Sequence, residues 1–423
     1  MHRIISLEIL LLVIALVFSG CYDAREINDV AYVLLVGVDM GVSDRFRVTF
    51  KFPSLKSGGG QDDSSGQAGD GLTYDTLTID TPSFFAASEL ANINLARSIN
   101  FMHTQFIVIS EDIARNGLIG EFLAQIVRNS SIRYSTRLLI SKGSAAELVE
   151  MLEPIEGSDL TKTCENLARQ SEETGMFVDL ALYDLHDCMK STYHQPIAVL
   201  AAVNRGENFV EEGSVWGNKY QIPGDYYAGD QPRKGGGKVE LMGLAIFNGT
   251  RMVGKLTGHE SRILAMVKGN FRKGTLVIPD PKQPGDIIAF EVRPARKPQV
   301  KIWFDGDKPF IDLKLHLEGD ILGIQSGIHY EDPGMLPVLE NALERFIKTE
   351  LNKILEKTQE LNCDIFYFGH TAVKHFATIQ EWEAYDWNSH YKDAEIKTEV
   401  RFYIRRTGTM IHTSETKFSR EEQ

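Results

Sequence analysis

Cysteine is scarce. The 423 residues hold four, at Cys21, Cys164, Cys188 and Cys363. They form no Cys-x-x-Cys pair and no cysteine/histidine cluster of ligand spacing, which argues against a zinc site. With Cys21 set aside, three thiols remain, so at most one disulfide can form and buried or half-buried free thiols are the expected state. Positive charge is also short: 45 Lys and Arg stand against 58 Asp and Glu, a net charge of −13. Nucleic acid as a partner needs a basic footprint, and this chain lacks one. The same deficit argues against electrostatic docking on anionic lipid, so any membrane attachment has to come from a hydrophobic group. After Cys21 no apolar run reaches the roughly 18 residues of a spanning helix, and that part is expected to be soluble.

Catalytic signatures are missing too. "GTRMVGKL" (249–256) nearly spells a phosphate-binding loop, but Leu256 replaces the magnesium-binding hydroxyl and Asn248-Gly249 reads as a hairpin turn. His259-Glu260 would suit a metalloprotease helix only with a second histidine at position 263, which is Ile. His370 and His375 are five residues apart and fall about 140° apart around a helix. No Gly-x-Ser-x-Gly elbow and no dinucleotide fingerprint occur. Trp382, Tyr385 and Trp387 are candidates to line a groove, but aromatics at this spacing more often pack a core. No catalytic residue, cofactor site or metal site is therefore expected.

What is present begins at the N-terminus. Ile9 to Phe18 is an unbroken apolar run that would span about 15 Å as a helix, half of a bilayer core of about 30 Å. The stretch "ALVFSGCYD" (15–23) leaves three readings for Cys21: the end of a membrane helix, a buried core thiol, or the start of the mature protein. A short basic start, a short apolar core and small residues before a break is the layout of a secretory signal. Ser19-Gly20-Cys21 resembles a bacterial lipobox, in which the signal is cut before the cysteine and its thiol receives a diacylglycerol. Phe18 stands where the usual residue is Leu.

Along the rest of the chain, "AYVLLVGVDM" (31–40) reads as a buried strand and "RFRVTFKF" (45–52) as a half-buried one, joined in a hairpin. The Gly/Ser/Asp stretch 57–71 reads as a mobile loop. From Leu72, strands at 72–79, 104–110 and 133–141 alternate with helices towards Arg97, over 113–127 and after a capping box at Ser144–Glu147, with strand direction left open. Residues 155–190 read as helical and 194–203 as a strand. Residues 204–238 read as an inter-domain connection or a long surface excursion. A hairpin at 239–256, a proline-punctuated section, a second hairpin around Asp305-Gly306, an apolar helical stripe from Leu336 to Leu355 and a last strand at 396–406 follow. The fold class expected is α+β: multi-domain mixed α/β with antiparallel hairpins and a long amphipathic helix packed on a sheet. The expected layout is a signal at 1–20, an N-terminal domain at 21–203, a connection or small middle region at 204–238, a C-terminal domain at 239–410 and a polar tail at 411–423.

From Cys21 onward the chain resembles the Ger(x)C family, the C subunits of nutrient germinant receptors of endospore-forming bacteria. The residues that carry the resemblance are "CYDAREIND" (21–29), with Tyr22 where the family has Trp, and "VLLVGVDM" with its Gly-x-Asp strand. They continue with the block around His103, with "GLAIFNGTRMVGKLTGHESRILAMVKG", and with "CDIFYFGHTAVKHF" leading to "IRRTG". The resemblance implies mixed α/β domains in three parts and no established catalytic residues. It also implies lipid attachment at Cys21 after cleavage between Gly20 and Cys21, placement on the outer face of the inner spore membrane, and A and B membrane subunits as partners. The rival functions are an extracytoplasmic solute-binding lipoprotein feeding a transporter and a surface enzyme.

Overall fold

The computed structural model describes residues 29–54, 73–155, 159–212 and 220–408, with Ile5 in isolation. The signal apart from Ile5, with Gly20, Cys21, the loop at 57–71 and the tail at 411–423, lies outside the described residues.

The first unit runs β1 (Val30–Tyr32), β2 (Leu35–Met40), β3 (Phe46–Pro53), β4 (Tyr74–Thr81), α1 (Phe84–Leu95), β5 (Ser98–Asn100), β6 (Phe106–Ser110), α2 (Glu111–Arg115) and α3 (Ile119–Ile126). It continues with β7 (Arg137–Ser141), α4 (Ala145–Met151), α5 (Leu160–Thr174), α6 (Leu182–Lys190) and β8 (Ile197–Val203). The second stretch runs β9 (Val239–Asn248), β10 (Arg251–Leu256), α7 (Gly258–Lys268), β11 (Gly274–Pro279), β12 (Ile287–Pro294), β13 (Gln299–Asp305) and β14 (Lys308–Ile324). It ends with α8 (Leu336–Glu360), α9 (Gly369–Ala372), α10 (Ile379–Tyr385), α11 (Trp387–Tyr391) and β15 (Glu395–Arg406).

Eight strands form one sheet in the order β10-β9-β8-β7-β6-β2-β3-β4. The pairs β2–β6, β6–β7 and β7–β8 are parallel, and antiparallel strands close both sides. The central strands are apolar at nearly every position because helices cover both faces. Leu35, Phe106, Val108 and Leu139 face α4 and α5. Val36, Val38, Ile107 and Ile109 face α1 to α3. The hairpin read as opening the C-terminal domain pairs with β8 and so extends this sheet.

The second sheet has the order β11-β12-β14-β13, with β15 parallel to β14 on its other side. Here β14 alternates buried and half-buried residues, the mark of a sheet packed on one face. Helix α8 covers that face with Leu339, Leu343, Ile347, Leu351, Ile354 and Leu355, close to the predicted stripe.

Several elements differ from the sequence reading. The strand at 31–40 breaks at Val33-Leu34, where the chain leaves β5 for β3: Val33 N donates to Asn100 O, and Leu34 N to Lys51 O. The helix at 113–127 breaks at Gly117, which has φ +77°. The helical span 155–190 divides at Gly175, φ +67°, the left-handed cap of α5. The proline-punctuated section holds β11 and β12, with Pro279 and Pro294 as their last residues, where a missing N–H is tolerated.

The Gly-x-Asp strand has a physical account. Asp39 accepts from Ala145 N and Ala146 N, both at 2.8 Å, and so caps α4 at its positive end. On β3, buried Lys51 donates to Val149 O, Glu150 O and Leu152 O at 2.8–3.0 Å and closes the negative end. A Cβ on Gly37 would lie 3.1 Å from Ala145 O and from Val149 Cγ2, so Gly37 lets the clamped helix sit down on the strand.

Candidate functional site at the domain junction

Two places concentrate chemistry, and the richer one is where the two sheets meet. It starts from Asp364, fully buried after α8. Its carboxylate accepts from Phe366 N (3.1 Å), Phe368 N (3.2 Å), Gly369 N (2.8 Å) and Trp387 Nε1 (2.9 Å). Four donors hold a tight turn that places Tyr367 at φ +68°. Burial pushes the Asp364 carboxyl above its ordinary value, and the donors pull against that. A Cβ on Gly369 would fall 1.9 Å from Tyr193 O, so only glycine allows this approach of the first unit's backbone. Gln195 N then donates to Asp364 O at 2.9 Å.

The side chains interleave. Trp382, Tyr193, His370, His194 and Tyr367 follow one another with centroids 5.7, 5.4, 4.8 and 3.9 Å apart. Tyr193 and His194 precede β8, whereas the other three rings come from the segment after α8. Each unit thus inserts rings between those of the other. At the end of the stack, Lys268 of α7 sits with Nζ 2.8 Å from the Tyr367 ring centroid, a cation–π contact with no hydrogen bond to the ammonium. Burial pulls Lys268 down to about 7. Cys188 at the end of α6 places Sγ 2.9 Å from His194 Nε2 and 3.2 Å from the Tyr367 hydroxyl.

This cysteine–histidine pair was not visible in the sequence, where the two stand six positions apart without any motif. Its electrostatics oppose nucleophile chemistry. Burial pushes the Cys188 thiol up, and burial with neighbouring His370 and Lys268 pulls His194 down to about 3. Proton transfer from thiol to imidazole is disfavoured at both ends, whereas a reactive cysteine needs thiolate character. The junction is built to weld two units.

The other candidates separate in space. Thr257 and Glu260 form a capping box at the start of α7, and Glu260 also pairs with Lys357. His259 is buried against Phe346 with Glu350 3.6 Å away, and burial pulls it down to about 4. His375 packs on Phe304, away from the His370 stack. Trp382 and Trp387 are 1% exposed and belong to the core, while the Tyr385 hydroxyl donates to Asp307 O. Residues 249–256 form the hairpin turn and β10. Cys164 and Cys363 are buried free thiols like Cys188. His103 meets Tyr32 edge-on. Among the described residues no group of three or more His, Cys, Asp or Glu is placed to hold a metal ion.

The second place is a groove of about 690 Å³ between α4 and residues 203–211 and 233–238. Its charged lining is mostly paired internally. Arg205 binds Glu147, Lys234 binds Glu211, and Arg233 binds buried Glu240 together with the carbonyls of Gly235 and Gly237.

Fold and junction together define a class: an α+β protein whose two large sheets are welded through an interleaved aromatic joint, with β1 and β5 forming a small third sheet. Within that class the chain belongs to the Ger(x)C family of spore germination proteins. Residues 23–203 match the family model "Spore germination protein N-terminal domain", and residues 242–408 match "Spore germination B3/GerAC like, C-terminal". Spore germination protein KC of Bacillus subtilis is 23% identical, over 96% of this chain and 97% of that one. Spore germination protein B3 of the same organism is 21% identical, over 93% and 96%. The crystal structure of the GerBC protein aligns with a TM-score of 0.53 at 14% identity, covering 87% of this chain and 96% of that one, which is a likeness of fold. No helix among the described residues is long and apolar enough to cross a membrane.

Proposed function

We propose that this chain is the lipid-anchored C-type subunit of a nutrient germinant receptor, acting without catalysis beside A and B membrane subunits on the outer face of the inner spore membrane. The observation that carries the reading is the ordered match of both family halves over nearly the whole chain. The lipobox-like Ser19-Gly20-Cys21 supplies the anchor in this reading, with cleavage after Gly20 and a diacylglycerol on the Cys21 thiol. A welded two-sheet body suits a subunit that passes on or stabilises a conformational state of its assembly. Deleting the gene is expected to abolish the germination response to one nutrient set and to leave nutrient-independent germination intact. An unchanged nutrient response in a strain without a paralogue refutes the reading. Co-purification of the tagged chain from spore membranes checks the A and B partners, and mass spectrometry of the mature N-terminus checks Cys21.

A further inference from the structure

Helix α1 carries large apolar side chains on its outward side as well as on its buried side. Phe84, Ala87 and Ala91 are fully buried against the first sheet. On the outward side Phe85 is 46% exposed, Leu90 41% and Ile93 76%. At about 100° per residue these three fall within an arc of about 140° that also holds Ala86 and Glu89. Glu89 is the helix's one charged residue. A surface helix normally turns a polar face outward; here three large apolar side chains stand in that face beside exposed Glu89, with exposed Asn92 and Asn94 at its margins.

The chain's path places the start of the described fold beside this helix. Strand β1 pairs in parallel with β5, Val30 beside Ser98, three residues after α1 ends. Ile99 N is held by Asn92 Oδ1 of α1 at 2.7 Å. The N-terminal segment therefore enters the fold at the C-terminal end of α1. Cys21 and Asp29 are eight residues apart, a reach of at most about 28 Å. A lipid on Cys21 keeps this corner near the bilayer and supplies the high local concentration that a weak contact needs.

We infer that the outward face of α1, Phe85, Leu90 and Ile93, inserts into the interfacial region of the membrane to which Cys21 is tethered; this rests on the lipid-anchor reading above. Three side chains on one short helix suit shallow interfacial insertion. The acidic chain has no electrostatic pull on anionic lipid, so the contact is apolar and persists in neutral vesicles and at high salt.

The test places an environment-sensitive fluorophore at Ile93→Cys in the lipidated full-length mature chain, with Leu322→Cys, 57% exposed on the second sheet, as the control. The chain is reconstituted in phosphatidylcholine vesicles. If native processing fails, a fluorescent amino acid replaces the labelled cysteine at 93 or 322, and the chain is coupled through Cys21 to a maleimide lipid. The expected result is a blue shift and loss of emission at position 93 with nitroxide-bearing lipids, and no change at position 322. An aqueous, unquenched label at 93 on chains that float with the vesicles overturns the inference. So does a label shielded only in spore membranes holding the partner subunits, which would assign the face to a protein. An unmodified Cys21 in spore-derived protein refutes the anchor reading instead, and the maleimide arm still decides the face.

Discussion

The two sheets solve the same problem differently. In the first, β6 is buried at every position and helices lie on both faces, so its polar groups must be satisfied inside. Asp39 and Lys51 do this for α4, one at each end of its dipole. In the second, β14 buries alternate residues only, and its open face carries ion pairs joining Arg293 to Glu318 and Asp320. The backbone edge of β15 is closed by α8 itself: Glu344 accepts from Phe402 N at 3.1 Å and Glu340 from Ile404 N at 2.9 Å. On the strands themselves charge is a buried part at Lys51 of the first sheet and a solvated coat on the open face of the second, while Asp280 and Asp364 are buried in the loops beside that second sheet, and the junction fuses the two.

The sharpest way to break this comparison is to remove the junction. Trp382→Ala deletes a ring 1% exposed that stacks on Tyr193 and Trp387 and donates to Thr192 Oγ1. A loss of about 3–5 kcal/mol is expected in urea denaturation. Fluorescence and far-UV circular dichroism should shift together if the sheets unfold as one body. A shifted fluorescence transition with an unshifted dichroism transition would show that the junction belongs to the second sheet alone. Next in size is Lys51→Met, which strips a donor from three carbonyls at the end of α4. A loss of about 2 kcal/mol is expected, with amide exchange rising first in residues 145–152. Uniform exchange across both sheets would contradict a local clamp.

Legibility in the sequence followed locality. Hairpins at Asn248-Gly249 and Asp305-Gly306 and the stripe of α8 were readable because their partners are near in sequence or regular in period. The joint was not readable. Tyr193 meets His370, and Cys188 meets Tyr367, across nearly half the chain, and no periodicity encodes such a contact. The α4 clamp spans Asp39 to Ala145 in the same way. The placement of β9 and β10 was missed for a related reason: a hairpin announces its own turn but not the sheet it joins. Proline hid β11 and β12, although "GTLVIP" and "IIAFEVRP" alternate, because strand ends tolerate what strand centres do not. At Cys21 the sequence remains the sole guide.

Acid offers a graded version of the same cut. His194, pulled down to about 3 by burial, binds its proton more weakly folded than in the unfolded chain, where the value is about 6.5. The unfolded state therefore takes up more protons as pH falls. Stability that is full above about 6.5 declines towards 3, by about 1.4 kcal/mol per pH unit for this one group. His370 is also lowered by burial and by Lys268, which adds to the slope. His194→Gln is expected to flatten the pH dependence between 6 and 4 by roughly one proton in denaturation midpoints, as the linkage requires. An unchanged slope would mean that the imidazole is already solvated in the native state.

The smallest effect is expected from a lysine of the other region. Lys308 pairs with Glu395 at 3.0 Å between β14 and β15, with the two side chains 48% and 64% exposed. Water screens both charges, and holding two long side chains in one geometry opposes the attraction, so Lys308→Ala should change stability by less than about 0.5 kcal/mol. What effect there is should shrink when salt rises well above physiological strength. Lys51→Met should keep its penalty at any salt, because its three carbonyls lie where ions do not reach. Measuring both substitutions in low and high salt sets the same residue type against itself in the two sheets. A salt-sensitive Lys51, or a Lys308 as important as Lys51, would erase the distinction between charge used as a buried part and charge used as a coat.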